Sequence, residues 1–224
     1  MPMKRNTIQK HDDEWFEKVL NGLSQQHPDA KPELNFRNPY ELLIATILSA
    51  QCTDKQVNRV TPALFDAYPT PEALASAEPE DVEPYIHSCG FYHNKAKNIV
   101  MACRNIVEQF GGNVPDNREG LESLAGVGRK TANVVLSNAF GVPAIAVDTH
   151  VFRVANRIGL VNAGNVEETE RQLMSNIPND KWSIAHHWLI FHGRRVCGAR
   201  KPDCGACIIS ELCDFNNDDK GENR

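Results

Sequence analysis

The segment from Leu124 to Leu136 reads LAGVGRKTANVVL, and its types and spacing are those of a hairpin that could do chemistry. A short helix ends at Leu124, Gly126-Val127-Gly128 makes a tight turn, and Arg129 opens the next helix. Glycines at the two turn positions allow positive φ and a close approach of backbone to a ligand. The unpaired N–H groups at the new helix's start point outward, where they suit a phosphate. Lys130 falls in the first turn of that helix, beside Arg129 and the positive end of the dipole. Both disfavour its ammonium form, as would burial against a bound ligand, and a lysine must lose its proton to become a nucleophile. Lysine is also a common phosphate contact, so on the hairpin alone the nucleophile and the point charge stand level.

Eighteen positions on, AIAVDTHV runs an apolar stretch into Asp148 at a helix start. Asp148 is an expected N-cap, and a carboxylate there can also assist deprotonation of a lysine and face a cationic transition state. His150 could serve as a helper base, although a structural hydrogen bond near the helix start is the plainer role. Near the C-terminus Cys197, Cys204, Cys207 and Cys213 crowd into CGARKPDCGACIISELC, while Cys52, Cys89 and Cys103 are scattered. In a reducing compartment such a cluster reads as a metal site and not a disulfide frame. Four thiolates at these intervals can hold a tetrahedral zinc or a 4Fe–4S cluster, and spacing alone leaves both open. The loop between the first two carries Arg200 and Lys201, so folding it around a metal would present cations to a polyanion.

Elements to position these groups follow from helix-period apolar patterns along the whole chain, with strand signals nearly absent. Helices are expected from Asp12-Asp13-Glu14 onward, from Asn38-Pro39, and over Asp54 to Ala67, Pro71 to Ser76, Pro79 to His87 and Asn94 to Phe110. Others are expected over Arg118 to Leu124, Arg129 to Phe140, Thr149 to Ile158, Val166 to Asn176 and Trp182 to His192. The fold class is all-α. No apolar run approaches the roughly 20 residues of a membrane helix. The opening MPMKRNTIQK lacks the apolar stretch of an export signal, and the tail NNDDKGENR is polar and expected to fray. A cytoplasmic location without membrane attachment is the expectation. A net charge of −5 alone argues against a nucleic-acid partner, but residues 128–201 hold ten Lys/Arg against five Asp/Glu, a local +5 that leaves −10 for the rest. That split permits a polyanion partner, and solvated helix faces would account for it as well.

The hairpin with Lys130, the downstream VDTH with Asp148 and the terminal Cys-x6-Cys-x2-Cys-x5-Cys together resemble the endonuclease III family of helix-hairpin-helix DNA glycosylase/lyases. The similarity runs from about Leu34 (ELNFRNPYELLIATILSAQ) through Cys213. The related adenine-mismatch glycosylases share the cysteine spacing but lack a lysine at the position of Lys130. The resemblance implies two helical lobes, a six-helix barrel over 32–142 containing the hairpin, and a discontinuous cluster-bearing lobe from 1–31 and 143–224. It implies a 4Fe–4S cluster on the four cysteines in place of zinc. The implied partner is double-stranded DNA containing damaged pyrimidines or abasic sites, bound by a monomer within a bacterial or archaeal nucleoid.

Under the same resemblance Lys130 and Asp148 are catalytic. Gly126, Gly128, Arg129, Arg200 and Lys201 hold the backbone, and Gln51 fills the space left by a flipped base. Asp54, Glu122 and His150 lie near the base pocket, each with an ordinary cap or surface role as its alternative. Phe91 stands where close relatives often have a leucine wedge, and phenylalanine can wedge as well. Asp203 replaces a residue that is often basic and should weaken the grip locally, and Cys52 has no assigned role. The expected activity is excision of oxidised pyrimidines followed by strand cleavage through a lysine Schiff base. Its rivals are a monofunctional mismatch glycosylase, opposed by Lys130, and a non-catalytic DNA-binding module using the hairpin and a zinc knuckle, opposed by the joint presence of Lys130 and Asp148.

Overall fold

The computed structural model describes residues 11–217. The opening ten residues and those beyond Asn217, on which the expectations of no export signal and a frayed tail rest, lie outside them. Among the described residues the regular structure is helical, apart from one isolated antiparallel bridge between Cys197 and Pro202. The helices are α1 (Asp13–Gln26), α2 (Pro39–Leu48), α3 (Asp54–Ala67), α4 (Pro71–Ala75), α5 (Pro79–Ile86) and α6 (Tyr92–Phe110). They continue with α7 (Arg118–Glu122), α8 (Arg129–Ala139), α9 (Thr149–Ile158), α10 (Val166–Asn176), a 3-10 turn (Asn179–Lys181) and α11 (Trp182–Arg195).

Local chemistry sets most of these bounds. Asp12, Asn38, Asn117 and Asn165 each accept the backbone N–H three residues on, at 2.8–2.9 Å, and so satisfy an otherwise unpaired donor. Three helices depart from expectation by two residues or more, the first being the helix expected to reach Leu124, which ends at Glu122. The helix expected from Asn94 begins at Tyr92, directly after Phe91 in the left-handed conformation. The helix expected to stop at His192 continues to Arg195, where its last carbonyls stay paired through Val196 N–H to His192 O at 2.9 Å.

The chain divides into two compact units: Pro32–Ala144, and the segments up to Lys31 and from Ile145 onward. The division falls between Ala144, which packs in the first core, and Ile145, which packs in the second. It lies two residues beyond the expected 142/143 boundary. In the Pro32–Ala144 unit α2 is apolar on nearly every side, with Leu42, Leu43, Ile44, Ala45 and Leu48 fully buried, and it packs on α3, α6 and α8. In the other unit α1 returns to α11, while α9 packs on both α11 and α10. Trp15 Nε1–H donates to Leu212 O at 3.1 Å, and a Cβ at Gly22 would collide with Ile209, so α1 lies close against the cysteine-bearing segment. No helix among the described residues is long and apolar enough to cross a membrane.

Burial holds the His187 imidazole, on α11, at about 4, against an ordinary value of 6.5. The unfolded chain therefore takes up a proton before the folded one does. The stabilising contribution is fully present above about pH 6.5 and is lost as pH falls toward 4, a change on the order of 3 kcal/mol. Urea denaturation between pH 7.5 and 4.5 should show stability falling across this window, with a shallower fall in His187→Phe. Equal slopes in the two proteins would remove His187 from the acid response.

Candidate catalytic and metal sites

The turn between α7 and α8 is held from inside and open outside. Val127 is 7% exposed and packs in the core with Leu124, Ala132 and Leu136, and its N–H donates to Leu124 O at 3.2 Å. The flanking glycines are there for different reasons. Gly126 has φ +75°, and a Cβ on it would stand 2.9 Å from Asn98 Cβ on α6, so both conformation and packing demand glycine. Gly128, the N-cap of α8, has ordinary extended backbone, and a Cβ there would meet nothing within 4 Å. The fold itself gives Gly128 no reason to lack a side chain. No side chain caps α8, and Arg129 and Lys130 in its first turn are both exposed. The result is a surface helix end with open amide donors beside an accessible amine.

Two turns elsewhere in this unit carry Gln51 and Phe91. Both side chains are exposed, Phe91 by 66%, and these are the non-glycine residues with positive φ among the described residues, at +53° and +60°. An aromatic residue held in the left-handed region is costly, and such strain persists only where the surroundings impose it. Gly90 abuts the Gln51 carbonyl: a Cβ there would be 3.9 Å away. Asp54 is the first residue of α3, whose cap is Thr53, and Glu122 is the exposed last residue of α7.

In the second unit Asp148 caps α9. Its Oδ1 accepts from both His150 N–H and Val151 N–H at 2.8 Å, and Oδ2 makes no hydrogen bond among the described residues. The half-buried carboxylate is thereby held by one oxygen with the other unengaged. His150 Nδ1 lies 3.3 Å from Arg153 Nη2, a hydrogen bond within the first turns of α9.

All four clustered cysteines line one cavity together with Ile158, His192 and Phe215. Burial is the chief cause that pushes Cys207 up to about 11 and raises Cys213, so these thiols must shed protons to take a metal. Among the described residues no three His, Cys, Asp or Glu side chains are gathered closely enough to hold a single ion. The segment is braced by groups that sequence reading missed. Arg157 donates to Gly198 O at 2.9 Å, Ala199 O at 2.8 Å and Cys197 Sγ at 3.5 Å, and Arg153 donates to Gly193 O at 3.0 Å and Cys197 O at 3.1 Å. Their i, i+4 spacing on α9, ahead of the first cysteine, was the available signal. His192 Nε2 lies 3.6 Å from Cys207 Sγ, and Gln26 of α1 brackets the loop through Ile208 N–H and Ala206 O. Asp203 Oδ1 accepts from Ala206 N–H at 3.2 Å, so its carboxylate shapes the turn between the second and third cysteines.

The local charge excess proves to be partly internal. Arg153 and Arg157 are spent on carbonyls, Arg171 pairs with Glu168, and Arg195 with Asp29 at 2.8 Å. Arg200 and Lys201 are exposed. The tally of residues 128–201 therefore overstates the cations that a polyanion could meet.

Over residues 44–179 the chain matches the family described as HhH-GPD superfamily base excision DNA repair protein. Endonuclease III of Haemophilus influenzae is 50% identical over 197 residues, 88% of this chain and 93% of that protein. Endonuclease III of Synechocystis sp. is 52% identical over 196 residues, 87% and 90% of the two chains. A solved structure of a trapped endonuclease III–DNA covalent intermediate has a TM-score of 0.87 at 47% identity, covering 94% of this chain and 99% of that one.

The contrast between the hairpin glycines can be measured without any ligand. Gly126→Ala should lose about 2 kcal/mol, because an alanine there meets both the positive φ and Asn98. Gly128→Ala should stay within about 0.5 kcal/mol of the parent, as a surface change with no internal contact. Equal urea midpoints for the two variants would refute this division of roles.

Proposed function

The chain belongs to the HhH-GPD superfamily of base excision DNA repair proteins and, within it, to the endonuclease III family, and we propose that it excises oxidised pyrimidines from duplex DNA with Lys130 as nucleophile. The observation that carries the site assignment is the exposed Lys130 amine in the uncapped first turn of α8, directly behind Gly128, whose missing side chain serves nothing inside the fold. A DNA phosphate approaching that turn meets open amides with no Cβ in the way.

The sugar C1′ is inaccessible within a base stack, so the damaged nucleotide must be extruded first. Gln51 and Phe91, exposed on their turns, occupy the opened duplex, while the hairpin amides, Arg129, Arg200 and Lys201 hold phosphates. Asp148, with Oδ2 left unengaged by its own helix, assists deprotonation of the lysine and offsets positive charge on the sugar. The Lys130 Nζ lone pair then attacks C1′ and the base leaves with the bonding pair. Ring opening gives a Schiff base, and loss of the 2′ proton expels the 3′ phosphate by β-elimination. Asp54 and Glu122 keep surface roles in this scheme.

The four cysteines would hold a 4Fe–4S cluster whose part is structural. Four thiols lining one cavity fit a cluster in which each cysteine ligates its own iron. The protein then acts as a monomer in the cytoplasm, on the DNA itself.

Two measurements test this reading. Borohydride should trap the protein on a duplex carrying an oxidised pyrimidine. Lys130→Gln should keep binding but lose trapping and cleavage by at least about a hundredfold, whereas normal cleavage by that variant would exclude Lys130. Protein purified without added metal should contain iron and sulfide in equal amounts, about four of each per chain. One zinc and no iron would overturn the cofactor assignment.

A further inference from the structure

Cys52, Cys89 and Lys95 form a cluster of reactive side chains that the excision chemistry does not use. Cys52 ends the turn after α2 and Cys89 lies in the turn after α5. The two turns meet where Gly90 abuts the Gln51 carbonyl, and Gln56 Nε2–H donates to Ser88 Oγ at 2.6 Å. Cys52 and Cys89 flank that contact, one directly after Gln51 and the other directly before Gly90, and the neighbouring Cys52 thiol adds to burial in raising Cys89. Both cysteines are free; Cys89 is fully buried and Cys52 is half-buried, reachable from solvent. Lys95, in the first turn of α6, is buried, and its Nζ finds no hydrogen-bond partner among the described residues. A buried ammonium without a partner is costly, and a thiolate at Cys89 would relieve it.

We propose that Cys52 and Cys89 are a reversible oxidation site that reacts with a low-molecular-weight disulfide and closes to an intramolecular disulfide, stapling the Gln51 turn to the turn that ends at Phe91. The Cys52 thiolate attacks one sulfur of the small disulfide, forming a mixed disulfide and expelling one small thiolate. The Cys89 thiolate then attacks the Cys52 sulfur, and the second small thiol leaves with the proton that Cys89 gave up. Two protein thiols are oxidised, and one disulfide is reduced to two thiols. Exposure puts Cys52 first. Cys89 resolves the bond from inside: burial pushes it up to about 11, and the Lys95 charge acts in the opposite direction.

A disulfide draws the two sulfurs to about 2.05 Å and their Cβ atoms to about 3.8 Å. Such a bond fixes the separation of the two turns. The residues next in line are Gln51, beside Cys52, and Phe91, two beyond Cys89, and both are already strained at positive φ. Oxidation should therefore restrain them together and slow lesion processing. This consequence rests on the proposed function, in which those two side chains support the opened duplex.

The test treats metal-loaded full-length protein with oxidised glutathione, maps peptides by non-reducing mass spectrometry, and follows single-turnover cleavage of a lesion-bearing duplex. The expected product is a Cys52–Cys89 linked peptide at unchanged metal content, with cleavage slowed about tenfold or more and restored by dithiothreitol. Cys89→Ser should stop at a glutathione adduct on Cys52, and Cys52→Ser should form neither adduct nor link. Lys95→Met should accumulate the mixed disulfide. Absence of the linked peptide, or equal inhibition of Cys52→Ser, would overturn the site. A linked peptide with unaltered cleavage would overturn the staple's effect. Gln51→Ala and Phe91→Ala separate the two readings: cleavage at the parent rate by both would sink their duplex-opening role, whether or not the disulfide forms.

Discussion

Val127 is buried in the core of the Pro32–Ala144 unit while the residues that follow it, from Gly128 to Lys130, lie at the surface. A turn pinned at its middle cannot retreat from a ligand, and its glycine at φ +75° sets the angle at which α8 departs. The helix end that results has no side-chain cap. At α1, α2, α3, α4, α7, α9 and α10 an Asp, Asn or Thr side chain closes the corresponding end, whereas α5, α6 and α11 share the lack of one with α8. At α8 the N-cap is a glycine in open space, so the backbone of the turn and the Lys130 amine are accessible together. The proposed phosphate contact and the proposed lysine chemistry both use that opening.

The cysteine-bearing segment shows the opposite economy. It has little regular structure of its own, only a single bridge between Cys197 and Pro202, and is ordered by groups reaching in from helices. Arg153 and Arg157 on α9 hold its carbonyls, Gln26 of α1 holds its far side, and Asp203 closes its inner turn. Charged side chains bound to carbonyls keep a loop in place more firmly than apolar contact would, because each guanidinium makes several directed bonds. A segment so braced can offer four thiols to one cavity. It also uses up cations that a charge count alone would assign to a DNA-facing surface.

Gln51 and Phe91 raise a related point about strain. Neither is glycine, yet both sit in the left-handed region, on turns that approach each other at Gly90 and are linked by the Gln56–Ser88 hydrogen bond. Phe91 puts a large apolar side chain at that point, 66% exposed, where burial cannot explain it. The surroundings hold the backbone of Phe91, whose carbonyl accepts from Lys95 N–H at 3.1 Å, and leave its side chain open to a partner.

Much of this protein was readable from its sequence because the signals are local. Caps such as Asn38 and Asn165, apolar residues at helical spacing and the glycine pair around Val127 act within a few residues, so helix starts came out correctly at nearly every element. The family motif, carried by Lys130, Asp148 and four spaced cysteines, is likewise a matter of order along the chain. What only the tertiary structure decided depends on residues far apart in sequence. Gly126 needs Asn98 to explain it, while Gly128 is explained by the absence of any neighbour, and the two look alike as letters. Arg157 looked like a surface cation until Gly198 and Ala199 were placed against it. Cys52 and Cys89, thirty-seven positions apart, meet only because α2 and α5 end at the same place. Local propensity carries no information about which distant side chain fills a given space, and packing of the two cores supplied it.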